Sequence, residues 1–169
     1  MALEKEGTVI TEPYGGAVVK PLSAEEVSDI AELKLALITL AAKPAHRHLS
    51  PADFNLAYGI ARQMTRSDSA KEYFDANRRF WDIIFGKTGK PILWEAFRRL
   101  DDRLIRYTPL ILKLFPEPAT RPRQQETLIE AYRKGKVDEA IRAFKRIYFE
   151  VAHRIIDHLE SEEVAASPH

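Results

Sequence analysis

One signal recurs along this chain and constrains its fold more than any other: a capping residue or a proline, followed by an apolar stripe at helical spacing. Ser23-x-x-Glu26 has the form of a capping box, in which the serine hydroxyl and the glutamate carboxylate satisfy each other's backbone N–H groups. Val27, Ile30, Leu33, Leu37, Leu40 and Ala41 then follow a 3.6-residue period as the inward face, and Pro44 ends the stripe. Ser50-Pro51 starts a second helix that runs to about Met64. Ser69-x-x-Glu72 starts a third, with Tyr73, Phe74, Phe80, Trp81, Ile84 and Phe85 inward and Gly86 and Gly89 at its end. Pro91 starts a fourth, with Leu93, Phe97, Leu100 and Leu104 inward. Thr108-Pro109 kinks or breaks it, because proline removes a backbone donor and crowds the preceding turn. A further apolar stretch reaches Phe115, and Pro116, Pro118 and Pro122 make a stiff connector. The last two helices cover about 123–133 and Val137 to Leu159, separated at Gly135.

This pattern predicts an all-α antiparallel bundle of six or seven helices over residues 23–160. Residues 1–22 read differently. Thr8-Val9-Ile10 and Ala17-Val18-Val19 are β-prone runs around a Pro-Tyr-Gly-Gly turn, so a short β-hairpin or extended arm is expected there. Residues 161–169 are expected to be a disordered tail.

Composition narrows the function. The 169 residues carry a formal net charge of +1, which excludes a globally polybasic nucleic-acid binder. There is no cysteine, so disulfides, thiolate metal sites and cysteine nucleophiles are excluded. The longest largely apolar run, Leu35–Ala42, is too short to span a bilayer, and no secretion signal opens the chain; a cytoplasmic location without membrane contact is the expectation.

No nucleophile motif, phosphate-cradling glycine loop or paired-histidine metalloprotease motif occurs, so no enzyme and no cofactor is expected. His153 and His158 are five apart and share a helix face poorly. Adjacent Asp101 and Asp102 point about 100° apart on a helix and read as a solvated face. Arg99, Arg103 and Arg106 share one face beside Tyr107, suited either to an anion or to salt bridges with Glu95, Asp101 and Asp102. Lys34, Asn77 and Gln125 lie close to apolar stripes. They are either satisfied core residues or the lining of a cavity, since a buried polar group without a partner costs about 1–3 kcal/mol.

Several stretches, in order and spacing, carry a resemblance. They are Gly15-Gly16-Ala17-Val18-Val19-Lys20-Pro21-Leu22-Ser23, Ile30-Ala31-Glu32-Leu33-Lys34, Asn77-Arg78-Arg79-Phe80-Trp81, Gly89-Lys90-Pro91-Ile92-Leu93, and Leu128-Ile129-x-Ala131 before Gly135 and Ala140. From about Pro13 to Leu159 the chain resembles the FCD domain, the C-terminal effector-binding domain of FadR-type GntR transcription regulators. The resemblance implies a small-molecule effector bound inside the bundle, and a homodimer. It implies contact with DNA only through a winged-helix domain that these residues do not contain; the glycine-rich start is similar to the end of such a domain. Many family members hold a divalent metal, and the positions that would carry its ligands are here Asn77, Trp81, Gln125 and Ile147. Tryptophan and isoleucine offer no lone pair, so no metal is expected. Lys34, Asn77, Trp81, Arg103 and Gln125 are the expected ligand-binding residues, for an anionic or amphiphilic effector such as an organic acid or acyl-CoA. The alternative is a helical protein–protein interaction or dimerisation module with a filled core and no effector.

Overall fold

The computed structural model describes residues 9–12, 16–19, 21–116 and 124–166. Residues 1–8, 13–15 and 20 of the leading arm, Pro118 and Pro122 of the connector, and residues 167–169 lie outside them. β1 (Val9–Glu12) and β2 (Gly16–Val19) pair antiparallel, with Val9 opposite Val19 and Glu12 opposite Gly16. The rest is helical: α1 (Ala24–His46), α2 (Pro51–Arg66), α3 (Ala70–Phe85), α4 (Pro91–Leu104), a 3-10 turn (Ile105–Tyr107), α5 (Thr108–Leu114), α6 (Gln124–Arg133) and α7 (Val137–Ala166). The expected all-α bundle is therefore what the chain forms.

The caps do their work in three ways. Ser50 and Asp53 complete a reciprocal capping box at α2. Ser69 accepts from the Glu72 N–H at α3, but Glu72 itself accepts from Ser67. At α1 only half of the expected box forms. Ser23 accepts from the Glu26 N–H, while the Ser23 N–H donates to the Tyr107 hydroxyl at 3.1 Å instead of to Glu26. Tyr107 in turn donates to Glu26 Oε2 at 2.9 Å, and Arg103 donates to Glu26 Oε1 at 3.3 Å. The start of α1 is thus tied to the 3-10 turn 84 residues away. Between α6 and α7, Lys136 N–H donates to Ala131 C=O and Gly135 N–H to Tyr132 C=O, with Gly135 at φ 72°. This is a Schellman ending, and it sets the tight turn that lays α6 against α7.

The inward face of α1 is rotated from the expected one. Leu33 and Leu40 are exposed, and the buried line is Val27, Ile30, Ala31, Lys34, Ile38, Ala41, Ala42 and Ala45. Small residues at 31, 41, 42 and 45 let α7 and its neighbours approach closely, which selects that face over the one with more leucines. Pro44 does not end the helix: it lies in the last turn, where it removes a single hydrogen bond, and buried Ala42 and Ala45 hold the turn against the core. Past the expected end at Leu159, α7 continues to Ala166, supported by a His158–Glu162 ion pair and a Ser161 hydroxyl that donates to the Asp157 carbonyl.

Two apolar cores result. The larger packs α1, α2, α3, α4, α6 and α7 around Phe80, Trp81, Phe85, Phe97 and Phe144. The smaller joins the start of α1 to the 3-10 turn, α5 and the later part of α7 through Val27, Tyr107, Leu110, Ile155 and Leu159. Tyr148 packs against both. Each fully buried large side chain contributes about 1.5–3 kcal/mol relative to exposure, so the larger core dominates stability. No helix among the described residues is long and apolar enough to cross a membrane.

Candidate functional site

The two cores do not meet flush. A cavity of about 70 Å³ lies where they adjoin. From α3 come Tyr73, Asn77 and Trp81, spaced i, i+4, i+8, together with Phe74. Asp101, Leu104, Thr108 and Ile111 form a second stripe that runs from α4 through the 3-10 turn into α5. Pro109 starts α5 in its first turn, where the missing N–H would be unpaired anyway, so the chain breaks at Thr108 without losing the stripe. Gln125 comes from α6, and Ile147, Tyr148 and Val151 from α7.

One side of the cavity is rigid. Trp81 is buried, and its indole N–H donates to Asn77 Oδ1 at 2.9 Å. The indole stacks on Phe85 and meets Phe144 edge-on, with centroids 5.5 and 5.2 Å apart. Such ring pairs hold an orientation more firmly than area alone would.

The other side is polar. Asp101 is 4 % exposed and accepts an ion-paired hydrogen bond through Oδ1 from Lys34, which is 0 % exposed. The Lys34 ammonium lies 4.2 Å from the Phe97 ring centroid and 4.8 Å from that of Tyr148. Burial pushes Lys34 below the usual lysine range, and the Asp101 carboxylate opposes that shift. Burial first, then the Asp101 charge, raises the Tyr148 hydroxyl well above the usual tyrosine value, so it is a neutral hydroxyl at physiological pH. Gln125 is 7 % exposed and Thr108 3 %, and neither side chain makes a hydrogen bond among the described residues. Asp101 likewise makes none beyond Lys34. Three buried polar groups thus converge on one hollow with hydrogen-bonding capacity to spare.

Of the five residues expected to bind ligand, the structure brings Asn77, Trp81 and Gln125 together on the cavity wall. Lys34 stands one layer behind, reaching the cavity only through Asp101. Arg103 does not line it; its guanidinium binds Glu26 outside. The basic face is otherwise used up structurally, with Arg99 on Glu95 and Arg106 donating to the Pro21 carbonyl. The solvated reading of the aspartates holds for Asp102, half-exposed and paired with Arg78, and fails for Asp101. Asp101 shares its face with Phe97 and Leu104, so its buried position follows from the helical period; the adjacent Asp102 masked it. Tyr148, one residue after Ile147, was missed for the same reason.

The four positions that the resemblance assigns to metal ligands, Asn77, Trp81, Gln125 and Ile147, all lie on this wall. The residues present do not fit a metal. Two have no donor atom, and the Asn77 oxygen already accepts from Trp81. Among the described residues, no three His, Cys, Asp or Glu side chains are grouped to hold an ion.

The architecture is that of the helical domain of GntR-type transcription regulators. A GntR family member from Pseudomonas syringae pv. tomato superposes with a TM-score of 0.72 at 19% identity, over 98% of this chain and 70% of its own. E. coli McbR/YncC gives 0.68 at 18% identity, over 95% and 81%. Lar, described as controlling the Listeria monocytogenes agr system, gives 0.67 at 18%, over 90% and 74%. No curated protein sequence matches this one significantly. The family model for the FCD domain matches residues 29–149, and the chain belongs to that family.

Proposed function

We propose that this chain is the effector-binding and dimerisation domain of a GntR-type transcriptional regulator, and that a small molecule binds without a metal in the cavity between the two cores. The observation that carries this is the convergence of Asp101, Thr108 and Gln125, buried and with spare hydrogen-bonding capacity, on the wall that also holds Asn77, Trp81 and Ile147. A core filled for stability alone would leave neither the hollow nor the open amide. The position also suits a switch. The wall draws on α3, α4, α5, α6 and α7, so a ligand that fits one relative placement of the two cores shifts the population toward it. The arm ahead of α1 leads from the smaller core's polar knot of Ser23, Glu26 and Tyr107, which is the route by which such a shift reaches an attached DNA-binding domain. We place this work in the cytoplasm, in a homodimer; exposed Leu33 and Leu40 on α1 are apolar surface available to a second copy. The domain acts by binding rather than by catalysis.

The size of the cavity speaks for a small effector and against an acyl-CoA. At about 70 Å³ it is several times the ~10–15 Å³ that admits one water, which is room for a molecule of a few non-hydrogen atoms. The test is a thermal-shift screen of small organic molecules against the wild type and Ile147→Phe, which fills the cavity. Compounds that raise the wild-type Tm and leave Ile147→Phe unmoved support the site. Stabilisation that is equal in both places the binding elsewhere and overturns the reading.

A further inference from the structure

We infer that the cavity selects an uncharged molecule with a short apolar body and an amide-like head, and that it rejects carboxylates. This rests on the cavity being the effector site. It differs from the anionic effector that the lysine and arginine suggest in the sequence.

The charges on the wall decide the matter. Among the described residues that line the cavity, Asp101 is the single carboxylate and none is a cation; it is held in an ion pair with Lys34. Its cation, Lys34, sits on the far side, bound to Oδ1 and enclosed by the rings of Phe97 and Tyr148, and does not line the hollow. Arg103 is engaged by Glu26 and does not line it either. A carboxylate entering the cavity therefore meets a carboxylate and, among the described residues, no free cation, and a buried anion without a partner is expensive. An ammonium fares little better. Lys34 already neutralises Asp101, so a second cation would be left without a counter-charge.

The hydrogen-bonding inventory then specifies the head group. Asp101 only accepts. Asn77 has its oxygen occupied by the Trp81 N–H, which leaves its amide N–H groups to donate. Gln125 and Thr108 each donate and accept. A ligand that offers both an N–H and a carbonyl, as a primary amide does, satisfies Asp101 with the first and Gln125 or Thr108 with the second. The remaining wall, Trp81, Leu104, Ile111, Ile147 and Val151, is apolar and accepts a short hydrocarbon chain.

Three probes of nearly equal size and different charge test this: butyramide, butyrate and n-butylammonium. Each is titrated into the full chain by NMR, following Thr108 and Ile147 signals. Butyramide is expected to bind at least about tenfold more tightly than either ion, the size of one lost charge-assisted contact or one uncompensated charge. Gln125→Leu should weaken butyramide by a similar factor. The double variant Lys34→Met with Asp101→Asn removes both charges together and orphans neither; it should narrow the gap between butyramide and butyrate by about threefold or more, because the repulsion from Asp101 goes while the cost of burying an unpaired anion stays. Butyrate binding as tightly as butyramide to the wild type overturns the charge assignment and leaves the site standing. Discrimination that persists unchanged in the double variant, or an unaffected Gln125→Leu, also overturns the assignment. No probe shifting Thr108 and Ile147 overturns both the ligand class and the site.

Discussion

On one side of Trp81 the molecule is full, and on the other it is hollow. Toward α1, α2 and the first part of α7, the indole packs among Phe80, Phe85, Phe97 and Phe144 with ring centroids 4.8–6.0 Å apart. Toward α5 and Gln125 it faces the cavity and a set of polar groups with bonds to give. The difference teaches what each part is for. Aromatic rings in edge and stacked contact make a core with one arrangement. Polar groups held at a void by a buried ion pair cost stability, a cost that the proposed binding of an effector there would offset.

The comparison can be broken by mutation. In the full region, Phe85→Ala should cost about 3–5 kcal/mol in urea denaturation, because its neighbours are too tightly packed to collapse onto the void. At the boundary, Lys34→Met alone strands a buried carboxylate and should cost about as much, 3–5 kcal/mol; adding Asp101→Asn should recover most of it. A double variant no more stable than Lys34→Met would show that the pair is not the unit described. Adding volume should have opposite signs in the two regions. Ala143→Leu overpacks the larger core and should cost about 1–3 kcal/mol, whereas Val151→Leu at the hollow should be neutral or stabilising by up to about 1 kcal/mol. Equal losses would mean the two regions are packed alike.

The smallest effect lies outside both. Hydrogen bonds from Lys87 first, then from the Ser50 N–H and hydroxyl, lower the Asp53 carboxyl from 3.8 to about 2. As pH falls, the unfolded chain therefore takes up its proton first, so the stability this residue gives is whole above pH 3.8 and is lost as pH falls toward 2. Asp53→Ala should cost about 0.5–2 kcal/mol at neutral pH through the lost cap, and its difference from the wild type should vanish over that acid range.

Much of this was legible in the residues, and the failures have physical reasons. Caps and stripes located the helices of the bundle except α5, which read only as an apolar stretch beyond Thr108-Pro109, because Ser-Pro, Ser-x-x-Glu and Gly135 act locally. They misplaced the inward face of α1, where close approach by alanines outweighed the leucines at 33 and 40. Asn77 and Gln125 were found because an amide beside an apolar stripe is already an anomaly, and Trp81 because the resemblance and its place one turn after Asn77 put it on the same face. Lys34 was found as well, but its partner was not. The Lys34–Asp101 contact spans 67 residues, and nothing local to either residue encodes it. Without that pair the lysine reads as an anion receptor; with it, the cavity's charge is spent.

The two tryptophans allow the most direct test of whether the hollow, and not the full core, receives a ligand. Trp81 presents its indole N–H at the cavity wall through Asn77, while Trp94 stacks on Phe97 at 5.0 Å and does not line the cavity. A ¹⁵N–¹H spectrum shows one indole signal for each. On saturation with butyramide, the Trp81 signal should move and the Trp94 signal should stay in place. A Trp81 signal that does not move, or a shift confined to Trp94, contradicts the account.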